Sequence, residues 1–150
     1  MTTLRHMFKK PDLQAISAAI QEAERKTAGE IRVSIFKKRP RSARRLSLME
    51  FAVAEFHQLK MQQTRDRTGI LIVIMLDEHQ FQILADTGIN AKVEQIIWDK
   101  LANEMAQRFR SGEYLSGVVE CVRQIGVILA FYFPRRDDDR NELSDEVKIA

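Results

Sequence analysis

The chain has 150 residues, 45% of them hydrophobic and 30% charged. That is enough for one buried core and too apolar for a disordered chain. A net charge of +3 permits an anionic partner without demanding one, and a single cysteine, Cys121, excludes a disulfide framework and a thiolate metal cluster and fits a cytoplasmic protein.

Behind Pro11, the residues Leu13, Ile16, Ile20 and Ala23 recur at helical spacing, with Asp12 as the expected N-cap and Gly29 just past the end. From Glu30 to Phe36, Ile31, Val33 and Ile35 alternate with Arg32 and Ser34, which predicts a half-buried strand with Glu30 on the Arg32 face. A basic loop follows. Leu46 to about Leu59 then predicts a helix carrying Leu48, Phe51, Ala52 and Phe56, a crossover to a parallel strand. The unbroken run Gly69 to Leu76 has the length of a strand covered on both faces. Past Asp77, Glu78 and His79, the alternation of Phe81, Ile83 and Ala85 predicts a hairpin partner. An Asp86-Thr87-Gly88 turn leads to a helix behind Asn90 with Val93, Ile97, Leu101, Met105 and Phe109 on one stripe. A last helix is expected from near Ser111 to just before Pro134, and the charged tail beyond it is expected to be loosely held.

The expected fold class is therefore α/β: a small mixed β-sheet packed between α-helices in the order α-β-α-β-β-α-α. Residues 1–11 form an N-terminal arm, 12–134 the domain and 135–150 the tail. The longest apolar run, Gly126 to Phe133, falls short of the roughly 20 residues a bilayer requires, so neither a signal peptide nor a membrane span is expected.

Five phrases in this order, TAGEIRV, RTGILIVI, DTGINAKV, QIIWDKLANEM and FRSGEYLSGV, with NELSDEV in the tail, give the chain a resemblance to the TPM domain family, also described as TPM phosphatase-like. The likeness runs over about residues 12 to 147 and is nearest to single-domain bacterial members. It implies a mixed sheet between helices, weak binding of calcium or another divalent metal in some members, and acid phosphatase activity in plant relatives linked to photosystem repair. Relatives with a membrane segment and a Gly-rich tail differ from this chain, which has neither.

The residues themselves offer little to a hydrolase. A cysteine phosphatase needs an arginine six positions beyond its thiolate, where this chain has Val127, and Cys121 sits in an apolar helix where its pKa is not lowered. There is no H-E-x-x-H, no Gly-rich phosphate loop with lysine and no G-x-S-x-G elbow. His57 and His79 read as surface residues and Trp98 as core or subunit contact. Asp137, Asp139 and Asn141 start like a calcium loop, but Glu142 and Lys148 occupy its glycine and bidentate glutamate positions.

Two charged features remain. Lys37, Lys38, Arg39, Arg41, Arg44 and Arg45 gather at the carboxyl end of the first strand, where open α/β sheets bind anions. A protein partner through this loop or through the tail is expected if the loop is more than a solvated face; with no interleaved aromatics, nucleic acid is not indicated. At the other end, Glu30, Asp66 and Asp86 fall at the start of the first strand, the start of the second and the end of the third. Three adjacent carboxylates repel unless neutralised, and Ca²⁺ takes such oxygens, with no organic cofactor needed. The alternative is a lysine partner for Glu30, solvent for Asp66 beside Arg65 and Arg67, and a helix amide end for Asp86. The sequence thus supports a calcium-binding interaction module, with a metal-dependent phosphohydrolase as the other reading.

Overall fold

The computed structural model describes residues 7–136 and 143–150. The expected fold class holds, with three additions to the element order, a 3₁₀ turn, a single-turn helix and a short last strand. In chain order the elements are α1 (Lys10–Glu24), β1 (Glu30–Phe36), a 3₁₀ turn (Arg41–Ala43), α2 (Leu48–Gln58), β2 (Gly69–Met75), β3 (Gln80–Ala85), the single-turn α3 (Thr87–Asn90), α4 (Gln95–Arg110), α5 (Tyr114–Tyr132) and β4 (Lys148–Ile149). The strand order is β3-β2-β1-β4. β1 runs parallel to β2 and β4, while β3 returns antiparallel on β2.

Strand parity divides the core into two layers. Ile31, Val33, Ile35, Ile70, Ile72 and Ile74 point to one face and pack with α1, α4 and α5; Leu71, Val73 and Met75 point to the other and meet Phe51, Ala52 and Phe56 of α2. β2 is buried along its whole length, as its unbroken apolar run requires. Trp98 is fully buried in the larger layer. The 19-residue α5 is apolar enough, by length and composition, to cross a membrane, yet Val118, Val122, Ile125 and Leu129 along it are buried in the core.

Several helix ends differ from the sequence expectation. Asp12 is not the N-cap of α1 but stands one turn in, where its carboxylate accepts from the Lys9 amide at 2.9 Å. Ser47 caps α2, exchanging bonds with Glu50 at 2.9 and 3.1 Å. Asn90 caps nothing: its side chain donates back to the Ala85 carbonyl at 2.9 Å, and the chain makes the extra turn α3 before α4 starts behind Glu94. α5 starts at Tyr114 rather than Ser111, because Gly112 at φ +79° breaks the helical path.

The larger difference is at the carboxyl end. Residues 143–150, expected to be loosely held, dock along β1 and extend the sheet. Ala150 donates to the Ile35 carbonyl at 2.9 Å and accepts from the Lys37 amide at 3.2 Å. Lys148 reaches the buried carboxylate of Glu55 on α2, with Nζ at 2.8 and 3.0 Å from its two oxygens, and Ser34 donates to the same group at 2.9 Å. The Glu55 side chain is 4% exposed and the Lys148 side chain 27%. Removing one partner of a buried pair strands the other, a loss of roughly 3–5 kcal/mol when both are sealed. Lys148 is partly wet, so Lys148→Ala should cost about 2 kcal/mol in urea unfolding. In a Glu55→Gln background the same change should cost under about 0.5 kcal/mol, since no stranded charge remains. Equal losses in the two backgrounds would show that the ammonium does not neutralise Glu55.

Candidate functional site

The two parallel strands begin at one end of the sheet and finish at the other, and the ends differ in charge. At the starting end, Glu30 pairs in register with Gly69, and the Asp86 amide donates to the Gly69 carbonyl at 2.9 Å. The expected edge therefore exists, with Glu30 and Asp86 on either side of Gly69. Their carboxylates are engaged differently. Glu30 is buried and its Oε1 accepts from the Leu143 amide at 2.6 Å, so it holds the carboxyl-terminal segment. Asp66 is exposed and is ion-paired to Arg136, with Arg65 Nε at 3.6 Å. Asp86 is buried and its Oδ1 caps α3, accepting from Thr87 N at 2.7 Å. Its Oδ2 is sealed from solvent and accepts no hydrogen bond from the described residues.

Among the described residues, no three Asp, Glu, His or Cys side chains converge so as to hold a metal ion. The donor chemistry of this end fits Ca²⁺ best at Asp86, whose Oδ2 accepts no hydrogen bond from the described residues. Glu30 and Asp66 are committed to an amide and a guanidinium. Asp137, Asp139 and Asn141 lie outside the described residues.

A fourth carboxyl belongs to this end and had not been singled out. Glu24, on the last turn of α1, is 7% exposed and accepts from the Ile31 amide at 2.8 Å. Burial pushes its carboxyl up from 4.5 to about 9; the hydrogen bond shared with Asp145 and the nearby charges of Asp145 and Glu30 act in the same direction, against the Ile31 amide. Glu24 is therefore a protonated acid at neutral pH, and Glu30, Glu24 and Asp145 jointly fix residues 143–145. The sequence carried a signal for it, because Glu24 continues the four-residue stripe of Ile16 and Ile20 into the core.

The finishing end is basic. Lys38, Arg39 and Arg44 line a cleft of about 980 Å³ together with His79 from the β2–β3 turn, Gln80 at the start of β3 and Asn103 and Arg110 from α4. Arg39 is locked to Glu78 through Nε at 2.9 Å and a second nitrogen at 2.8 Å, and it also donates to the Leu46 carbonyl at 2.5 Å. Lys37, Arg41 and Arg45 do not line the cleft. His57 and His79 are exposed, and burial pushes the Cys121 thiol up to about 12, far from a thiolate at neutral pH.

Comparison with known proteins bears on which of these features are shared. The model of the TPM domain matches residues 1–128. The chain belongs to the TPM domain family. The BA42 protein of the psychrophilic bacterium Bizionia argentinensis, solved by NMR, is 32% identical with a TM-score of 0.87, each chain covered in full. The N-terminal domain of a P. gingivalis protein is 17% identical with a TM-score of 0.71, over 87% of this chain and 81% of that one. The N-terminal domain of the cg2496 protein from Corynebacterium glutamicum is 13% identical with a TM-score of 0.58, over 81% and 74%. The last two are similar in fold alone. No curated protein matches.

Three of the TPM phrases meet at the acidic end and build it. In TAGE, the Thr27 hydroxyl donates to the Phe133 carbonyl at 2.5 Å and accepts from Gly29 N at 3.0 Å, tying the entry of β1 to the end of α5. In RTG, Thr68 donates to the Ala28 carbonyl at 3.3 Å, and its own carbonyl accepts from Glu30 N at 3.0 Å. In DTG, Gly88 N donates to the Arg67 carbonyl at 2.9 Å. The motif residues of this TPM domain thus hold backbone to backbone where β1 and β2 begin and β3 ends.

Proposed function

We propose that this TPM domain is an interaction module that binds a divalent cation, calcium foremost, weakly at its acidic end. The observation that carries the reading is Asp86 Oδ2, a buried carboxylate oxygen with no donor among the described residues. Such a group costs about 1–3 kcal/mol unless water or an ion satisfies it. A hard cation with oxygen ligands does so, and carbonyl oxygens and water complete its shell. With one carboxylate available the affinity is low, with a dissociation constant on the order of 10⁻⁴–10⁻³ M.

The partners of the two neighbouring carboxylates support a response to the ion. Glu30 holds Leu143 and Asp66 holds Arg136, the residues on either side of 137–142. A cation at Asp86 adds positive charge at the end of the sheet where both tethers lie and so weakens the hold of Glu30 and Asp66 on them. Occupancy is then read out as a change in how the carboxyl-terminal segment lies on the sheet, available to a protein partner.

Calcium titration followed by amide NMR tests this. Shifts are expected at Glu30, Asp66 to Gly69, Asp86 and Leu143 to Asp145, and Asp86→Ala should abolish them while the remaining spectrum stays folded. Saturating calcium that moves nothing there, or moves only residues 137–139, would remove the acidic end as the site.

A further inference from the structure

The basic cleft lies at the opposite end of β1 and β2 from the acidic edge and plays no part in the cation reading. Its uncommitted cations come from two separated parts of the chain, Lys38 and Arg44 from the β1–α2 connection and Arg110 from the last turn of α4, and the β2–β3 turn adds His79 to the lining. Glu78 is the one carboxylate on its lining, and Arg39 already neutralises it with a two-pronged bond. Neither Lys38, Arg44 nor Arg110 has an ion-pair partner among the described residues, so the cleft keeps three uncompensated charges. The amino end of the 11-residue α2, at Ser47 and Leu48, opens on the same space and adds the positive end of its dipole.

We propose that this cleft is a binding site for a small polyanion, a molecule carrying two or more clustered carboxylate or phosphate groups. Three observations choose this class. Cations converging from separate elements onto a recess focus potential inward, whereas a charge run on a loop alone points into solvent. The volume of about 980 Å³ is in the range of small-molecule sites, roughly 300–1,000 Å³. Phe81, the one Phe, Tyr or Trp on the lining, is half-buried and in T-shaped contact with Phe109 at 4.8 Å, which makes it a poor platform for stacking a base. Arg44 and Arg110 present planar forks suited to oxyanions, Lys38 a point charge, and the side-chain amides of Gln80 and Asn103 neutral donors. The immobilised Arg39–Glu78 pair forms a wall that keeps the recess open without contributing net charge.

The test is calorimetric and NMR titration of the full chain at low ionic strength with citrate and with pyrophosphate, which separates carboxylate from phosphate recognition. Shifts are expected at Lys38, Arg44, His79, Gln80, Asn103 and Arg110. Arg44→Glu and Arg110→Glu should each weaken binding at least tenfold. Arg41→Glu and Arg45→Glu, the same charge change on the same loop but outside the cleft, should change it less than threefold. All four positions are exposed, so the variants are expected to fold, and a matching urea midpoint confirms it. Binding of neither anion overturns the proposal. So does equal weakening by all four variants, which would mark diffuse surface charge, or binding of a polyaspartate peptide with neither small anion bound.

Discussion

Glu24→Gln should stabilise the protein at pH 8, by roughly 3 kcal/mol, and should flatten its stability profile between pH 5 and 9. Folded Glu24 titrates at about 9 against an ordinary 4.5, chiefly because it is buried. Below about 4.5 the folded and unfolded chains both hold the proton, and the group contributes no pH dependence. Between 4.5 and 9 only the folded chain holds it, so unfolding releases a proton and rising pH favours the unfolded state, by at most ~1.4 kcal/mol per pH unit. Above 9 the loss is complete. Glutamine keeps a neutral side chain that still accepts from Ile31 N and still donates toward Asp145. Urea midpoints at pH 5, 7 and 9 for the two chains isolate the group, because every other titration is common to both. Parallel profiles would mean that Glu24 is ionised in the folded protein.

Gly88→Ala should cost at least ~3 kcal/mol, more than a typical overpacking change. A Cβ at this position would lie 2.5 Å from the Arg67 carbonyl oxygen and also strike the Asp66 carbonyl, and backbone on a tied loop has nowhere to move. Gly112→Ala is the control. That residue is at φ +79° with open space around it, so it should lose only about 1 kcal/mol, from backbone strain. If the two substitutions cost the same, close approach at Gly88 does not hold this junction together. Gly88→Ala should also erase any calcium shifts at Asp86, two residues away, by moving α3.

The β1, β2 and β3 strands and the α2 crossover were legible because their signals are local: alternation in one strand, an unbroken run in the next and the helical spacing of Leu48, Phe51, Ala52 and Phe56 in the crossover. The acidic edge was legible as a place, since strand direction alone brings Glu30 and Asp86 to Gly69. Their partners were not. Leu143 is 113 residues from Glu30 and Arg136 is 70 from Asp66, and no periodicity reports such distances. β4 escaped for a related reason. Its two residues carry no pattern of their own, and Lys148 reads as a solvent residue until Glu55 is seen buried opposite it. At the basic end, the loop cations were visible as a run, but only Lys38, Arg39 and Arg44 line the cleft. Arg110 and His79, which close it, lie on elements whose sequence meaning is helical and turn-forming.

The brevity of β4 bears on how the protein behaves at high concentration. β4 covers β1 only at Ser34 and Ile35, while the Glu24 side chain occupies the Ile31 amide on the same strand. A strand edge with free amides and carbonyls recruits another strand from a neighbouring molecule. The segment from Leu143 to Ala150 and the Glu24 carboxyl together screen this edge, and both depend in part on charge and protonation, through Glu30, Lys148 and Glu24 itself. Conditions that loosen them, such as alkaline buffer or loss of Lys148, should therefore show first as self-association in light scattering, at temperatures where circular dichroism still reports a folded chain.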